Sequence, residues 1–224
     1  MKKHILFLLL AVPMLIASCA SSKFYSTNAD EIRPIVLVEP YSYITDAVFD
    51  FTTDYLPDAS RFNQLLITDI MNSSGMPIQK TVSVDFDAAN PNSQLGSWMN
   101  GMMDLSTSKA KNLIIPAEIR DAVRQSGCRY GLLITDVGYS KNAKQYALEE
   151  GIDIAMKISD IIFNNSIDLS KDAEAYTNGI SALVFNNQTG RVVWFGKRPR
   201  RYEYDPLDRS SLTKQLTKLF KDFR

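Results

Sequence analysis

The chain has 224 residues with an apolar share of 45%, which is enough for one large or two small globular domains. Lysine plus arginine and aspartate plus glutamate both number 25, and this balance excludes a generally basic nucleic-acid-binding protein. The single histidine is His4, in a segment that we expect to be removed. Without it, the mature chain has no Ser-His-Asp or Cys-His catalysis and no histidine metal ligand.

The amino terminus has the order of a secretory signal. Lys2 and Lys3 precede a short apolar segment at residues 5–16, and Ile16, Ala17 and Ser18 lead directly to Cys19. The apolar segment is too short to span a membrane. An aliphatic residue and two small residues before a cysteine resemble the lipobox of bacterial lipoproteins. The alternative is an ordinary signal peptide with a chance cysteine at the cleavage site.

The lipobox resemblance implies how the mature chain is attached. It implies a signal peptide at residues 1–18, a diacylglyceryl group on the Cys19 sulfur and a fatty acyl chain such as palmitate on the new amine. More than one chain is needed for stable anchoring, and this modification supplies it. Ala20 follows Cys19, a pattern that implies transfer to the outer membrane, with the protein facing the periplasm. We expect residues 19–33 to be a lipidated polar tether and residues 34–224 to be one α/β domain.

Charge and thiols in the mature chain follow from this cleavage. The signal removes two lysines and no acids, so 23 basic and 25 acidic residues leave a net charge of −2. Residues 191–224 hold ten Lys and Arg against four acids, so the carboxyl-terminal part is strongly basic. Cys128 is then the only free thiol. No internal disulfide can form, and we expect Cys128 to be a small buried side chain.

The first half of the domain mixes strands and helices. Residues 35–38 predict a buried strand between Pro34 and Pro40. Residues 41–56 predict a loop or short helix, in which a helix would align Asp46, Asp50 and Asp54 on a solvated face. The remaining predicted elements are a helix over residues 60–74 with Asp58 as its cap and Gly75 at its end, a strand over 81–86, and a short apolar-faced helix over 95–103.

The second half predicts a central strand and a hairpin. A helix over residues 117–126 is followed by Gly127 and a strand over 130–137. Residues 143–163 have helical spacing, with a long strand hairpin as the alternative. Runs at 179–185 and 191–195 flank a polar turn and predict antiparallel strands, and Asp205-Pro206 starts an amphipathic last helix. The predicted fold class is α/β (α+β), a single mixed sheet with helices packed on it and a carboxyl-terminal antiparallel hairpin followed by that helix.

The order of these parts suggests a family. The pieces that carry the resemblance are the strand SGCRYGLLITDVGY and the hairpin segment ALVFNNQTGRVVWFGKR. In the second piece, Thr189 and Gly190 form the turn before Val192, Val193 and Trp194. They resemble the envelope lipoproteins related to the amino-terminal domain of TolB and to the curli-secretion lipoprotein CsgG. The resemblance implies a non-catalytic α/β domain that binds other envelope proteins, sometimes as an oligomer.

The strongest charged feature is a basic strip directly after the hairpin. It comprises Lys197, Arg198, Arg200 and Arg201, with Tyr202 beside it. On an anchored protein such a strip suits acidic lipid head groups, lipopolysaccharide phosphates or an acidic partner. The alternative is a solvated edge strand that charge and Pro199 protect against unwanted pairing.

Other candidate sites are weaker. Ser106 with Lys109, and Ser211 with Lys214, have a spacing that could pair a nucleophile with an amine, but no accompanying motif supports them. Asp85, Asp87, Asn90 and Asn92 lack the pattern of a calcium loop. The sequence therefore predicts no cofactor and no metal.

These observations predict a non-enzymatic outer-membrane lipoprotein that acts as an accessory or assembly module for another envelope component. Its expected partners are the membrane, reached through the anchor, and an envelope protein, without nucleic acid. One alternative is a structural self-oligomer or a component related to a secretion pore. The other is an envelope hydrolase that depends on carboxylates alone, for which Asp85 and Asp136 are the candidates.

Overall fold

The computed structural model describes residues 23–47, 53–86, 90, 92–140, 176–201 and 204–223. Within these residues eight strands form one mixed sheet, and helices pack on it, so the predicted fold class is confirmed. The strands are β1 (Lys23–Tyr25), β2 (Ile35–Val38), β3 (Tyr41–Ala47), β4 (Thr53–Tyr55), β5 (Ile78–Val82), β6 (Tyr130–Ser140), β7 (Tyr176–Asn186) and β8 (Arg191–Arg201).

The long strand β6 is the centre of the sheet, whose order is β1-β8-β7-β6-β2-β5. Strands β2 and β3 lie end to end along one side of β6, both parallel to it. Leu37 lies opposite Leu132 and Tyr41 opposite Thr135, so one extra residue is accommodated around Pro40, as in a β-bulge. β7 and β8 continue the sheet as the predicted antiparallel hairpin.

Two helical layers cover the sheet. One holds α1 (Pro57–Asn72) and α5 (Arg209–Leu219), whose core residues cluster with Trp194 and Leu132. The other holds α2 (Gln94–Gly101), α3 (Thr107–Ala110) and α4 (Ala117–Gln125), whose core residues cluster with Phe195 and Leu133. Successive residues of β6 and β8 thus enter opposite layers, as the alternation of a strand requires.

Helix ends follow local chemistry, with one difference from the prediction. The α1 helix begins at Pro57, after Leu56, which provides no side-chain cap. Asp58 therefore lies in the first turn and is not the cap, because proline already supplies a fixed φ and needs no hydrogen-bond acceptor. The α5 helix is capped by Asp208, whose carboxylate accepts from the backbone N–H of Ser211 at 2.8 Å.

Two predicted elements differ in the structure, and a third lies outside the described residues. Residues 41–47 form strand β3 and neither a loop nor a helix, because β6 supplies a parallel partner for residues 41–45 and β4 an antiparallel partner for residues 45–47. Asp46 is consequently buried rather than on a solvated helical face. Strand β5 covers residues 78–82 instead of 81–86. The predicted segment at 143–163 lies outside the described residues.

The predicted tether is wrong for residues 23–33. Residues Lys23–Tyr25 form an edge strand paired with β8, and residues Ala29–Glu31 form a short 3-10 helix. Ile32 is fully buried in the same core cluster as Trp194. The folded part of the chain therefore includes residues 23–33, because this segment adds both sheet hydrogen bonds and a buried apolar side chain.

Candidate functional site at a basic strand end

The carboxyl end of β8 carries the predicted basic strip. Strand β1 pairs with β8 only from Trp194 to Gly196. Beyond Gly196, the described part of the chain places β7 on one side of β8 and no strand on the other. Residues 197–201 therefore lie at the edge of the sheet, where their side chains can reach another surface.

The cations of this strand end have different environments. Lys197 is half-buried, and its Nζ donates to the backbone carbonyl of Met103. Arg198 is half-buried, and its Nε is enclosed without a hydrogen-bond acceptor among the described residues. Arg200 is exposed and Arg201 is half-buried. Lys197 thus has an internal structural role, and Arg198 and Arg200 are better placed for an external anion.

A bulge interrupts the pairing of β8 with β7 within the strip. Ile180 lies opposite Arg198 and Asn178 opposite Arg201, so Pro199 and Arg200 together face one residue of β7. Proline suits this position because it has no N–H for the ladder. A Cβ on Gly179 would lie 2.7 Å from Cγ of Arg200, so a glycine is needed where this arginine crosses β7.

The strand end is also close to the start of the described chain. Lys23 is the register partner of Gly196, the residue next to Lys197. Four peptide units separate Cys19 from Lys23, so their Cα atoms are at most about 14 Å apart. A lipid on Cys19 would therefore be attached near the basic strip. Cys19 and Tyr202 themselves lie outside the described residues.

A second polar feature lies within the fold. Asp136 on β6 is fully buried, and its Oδ2 accepts from Nδ2 of Asn63 at 2.8 Å and from Nδ2 of Asn178 at 3.3 Å. Its Oδ1 has no donor among the described residues. Burial raises the pKa of Asp136 to about 7, although the two amide hydrogen bonds oppose the shift. A neutral acid therefore persists far above the usual pH range of an aspartate.

This buried group was not found from the sequence as a cluster. Asn63 lies on α1 and Asn178 on β7, which are distant from Asp136 along the chain. The only local signal was one acidic residue inside the apolar run of β6. Asp136 does not reach the surface, and Asp85, the other acid considered for a hydrolase, is exposed on the segment after β5.

The remaining sequence candidates have structural contacts. Ser106 is the cap of α3 and accepts from the N–H of Lys109. Ser211 is buried, whereas Lys214 is exposed with its Nζ 5.7 Å from the ring centre of Tyr204. Cys128 is a buried free cysteine, as predicted, and its Sγ lies 3.0 Å from Oε1 of Gln79.

The described residues lack two further kinds of feature. They contain no group of three or more His, Cys, Asp or Glu side chains arranged to hold a metal ion. Nor does any helix in those residues have both the length and the apolar character needed to cross a bilayer.

Comparison with known proteins gives only distant likenesses. No protein-family model matches the chain, and no curated protein matches it. Among solved structures, a PelC dodecamer from Paraburkholderia phytofirmans is 11% identical, covering 91% of this chain and 96% of that chain, with a TM-score of 0.39. A single-substitution variant of that dodecamer is 10% identical over 92% and 98% of the two chains, also with a TM-score of 0.39. Similarity this low supports no inference about function or assembly, and the TolB and CsgG resemblance stays a prediction.

Proposed function

We propose that this chain is a lipid-anchored protein of the bacterial outer membrane that faces the periplasm, and a non-catalytic accessory module that binds another envelope component. The observation that carries the proposal is the pairing of Lys23 with Gly196. It connects the predicted lipidation site to the basic strip by a short length of chain. Anchor and strip would then act on the same side of the molecule.

The charge of the strip suits an anionic surface beside the membrane. A lysine or arginine near an anionic bilayer contributes about 1 kcal/mol within a Debye length. This contribution is too weak to hold the protein alone, but it adds to a lipid anchor. The ion pairs within the described residues do not include Arg198 or Arg200, so both would be available to phosphate groups or to acidic side chains of an envelope protein.

The anchor is tested first. The wild-type protein and Cys19→Ser are expressed in a two-membrane bacterium with radioactive palmitate. We expect label and outer-membrane fractionation for the wild type and neither for the variant. Labelled Cys19→Ser, or unlabelled wild type, would disprove anchoring at this residue.

The strip is tested with full-length lipidated protein in mild detergent. The charge-reversed pair Arg198→Glu and Arg200→Glu is compared with Lys80→Glu and Lys218→Glu, which reverse two exposed cations elsewhere. Quantitative mass spectrometry measures co-purified envelope proteins. We expect the strip variant to lose its main partner several-fold and the control to retain it. Equal recovery would remove the strip from the proposed function.

The same purification distinguishes the alternative of self-assembly. If the wild type is recovered without an envelope partner and elutes as a large species in light scattering, the chain is a self-oligomer and not an accessory module. If partner recovery is unchanged by the strip variant but lost with Cys19→Ser, the anchor alone brings the two proteins together.

A further inference from the structure

A second basic region lies at the opposite end of β8. Residues 111–115, Arg120 of α4 and the hairpin turn at 189–191 enclose a depression of about 420 Å³. Arg191 is six residues from Lys197 along β8, so the two regions are separated by about 20 Å. The depression is therefore distinct from the strand end that the proposed function uses.

The half-buried side chain of Arg120 lines this depression. Cδ and Nη1 of Arg120 lie 3.4 Å from the point that a Cβ on Gly190 would occupy. Gly190 has a φ of +65°, a backbone conformation that favours glycine, and Arg120 packs beside it at van der Waals distance. Nε of Arg120 is enclosed and has no hydrogen-bond acceptor among the described residues. Within the described part of the chain, no carboxylate forms an ion pair with the Arg120 guanidinium.

The lining of the depression has one sign of charge. Arg120, Arg191 and Lys111 line it, and no acidic side chain does so among the described residues. Arg191 is exposed at the start of β8. Two guanidinium groups at one concave surface favour an anion with planar oxygens, because each arginine can donate two parallel hydrogen bonds to a carboxylate or phosphate.

The rim of the depression carries an exposed aliphatic side chain. Ile114 is 81% exposed, whereas its neighbour Ile115 is 1% exposed. The buried Ile115 holds the loop against the α4 layer, so Ile114 is presented outward from a fixed backbone. A single exposed isoleucine is ordinary on a surface. Here it adjoins a basic concavity, and the two together favour a ligand that carries both an anionic group and an apolar group.

We propose that this depression binds an acidic peptide segment of a partner protein, with a carboxylate on Arg120 and Arg191 and an aliphatic side chain against Ile114. Among the described residues that line it, none has an aromatic ring on which a sugar could stack. In the proposed function, the other end of β8 faces the membrane. The inference goes beyond that function, because it assigns a second surface and does not need the lipid anchor.

Fluorescence anisotropy with labelled peptide probes tests this inference on the full-length protein in nonionic detergent. The first probe alternates Asp and Leu, the second contains Asp alone, and the third alternates Lys and Leu. We expect saturable binding of the first probe, weaker binding of the second and none of the third. The variant Arg120→Gln with Arg191→Gln should weaken binding of the first probe about tenfold or more.

Two further variants separate charge, apolar contact and folding. Ile114→Ser should reduce the preference for the Asp-Leu probe over the Asp probe. Arg191→Gln alone changes only an exposed side chain. If the double variant is unfolded, this single variant still tests whether the arginine binds the probe. The matched control, Lys80→Gln with Lys218→Gln, removes two exposed cations elsewhere and should leave binding unchanged.

Three results would overturn the inference. The first is no saturable binding of the Asp-Leu probe, and the second is an equal loss of affinity in the control variant. The third is a protein that binds phosphatidylglycerol vesicles through Arg120 and Arg191 but does not bind the peptide, which would assign the depression to lipid. Because Cys19→Ser should bind the probe as well as the wild type does, failure of the anchor proposal and failure of this one are distinguishable.

Discussion

Asn63 donates a hydrogen bond from Nδ2 to Oδ2 of Asp136 at 2.8 Å, and the same nitrogen donates to the carbonyl of Pro206 at 2.6 Å. One amide therefore joins α1, the central strand β6 and the segment that leads into α5. Asn178 adds a donor from β7. The group is buried in the layer of the core that contains Trp194, so its protonation state affects the stability of the whole fold.

Stability should fall as pH rises towards neutrality because of Asp136. Its pKa is raised from 3.8 to about 7 in the folded protein, chiefly by burial. The folded state therefore keeps a proton that the unfolded state releases. The stabilisation is complete below about pH 4 and is lost as the pH rises through about 7, a difference on the order of 4 kcal/mol. Urea unfolding between these pH values measures it.

The variant Asp136→Asn isolates this contribution. Asparagine resembles the neutral acid, so the free energy of unfolding should depend less on pH than in the wild type. The pKa of Asp205 is raised to about 6, mainly by burial. Asp205 therefore contributes to the same pH dependence of the free energy of unfolding, and the additional change Asp205→Asn should reduce that dependence further. Equal pH dependence in the wild type and Asp136→Asn would mean that Asp136 is already ionised in the fold.

The sequence predicted elements whose partners are local better than those whose partners are distant. The β7–β8 hairpin follows from two apolar runs around a turn that ends in Gly190, where the φ is positive. Strand β3 was not predicted, because its aromatic and acidic residues acquire strand geometry only beside β6. The residues of the basic strip are neighbours in sequence, so the strip could be predicted. The contact of Lys197 with Met103 could not be predicted, because it joins residues 94 positions apart.

Capping of α5 by Asp208 should be measurable. Asp208→Ala removes the side-chain acceptor for Ser210 and Ser211 and should cost about 1 kcal/mol in the free energy of unfolding. Asp58→Ala is the comparison, because Asp58 lies in the first turn of α1 without a capping role. We expect a smaller loss there. A larger loss of stability in Asp58→Ala than in Asp208→Ala would mean that Asp58 caps α1, as the sequence predicts.

The aromatic contact between β8 and the end of α5 should contribute strongly to stability. The rings of Trp194 and Phe220 are stacked with centres 5.2 Å apart, and both are buried. Phe220→Ala leaves a cavity and should cost about 3–5 kcal/mol. Ile114→Ala, at an exposed site, should change stability by less than about 0.5 kcal/mol. Similar losses in the two variants, measured by thermal or urea unfolding, would contradict the packing of Phe220 against Trp194.

The corrected start of the fold gives the sharpest test of residues 23–33. Ile32 is fully exposed to solvent in a tether but fully buried in this structure. Ile32→Ala should therefore lower the free energy of unfolding by about 2–5 kcal/mol, whereas Glu31→Ala, at the exposed neighbouring residue, should have little effect. Both are measured by urea unfolding of the mature chain. If Ile32→Ala is as stable as the wild type, residues 23–33 do not pack on the sheet. The short connection between Cys19 and the basic strip would then be lost with them.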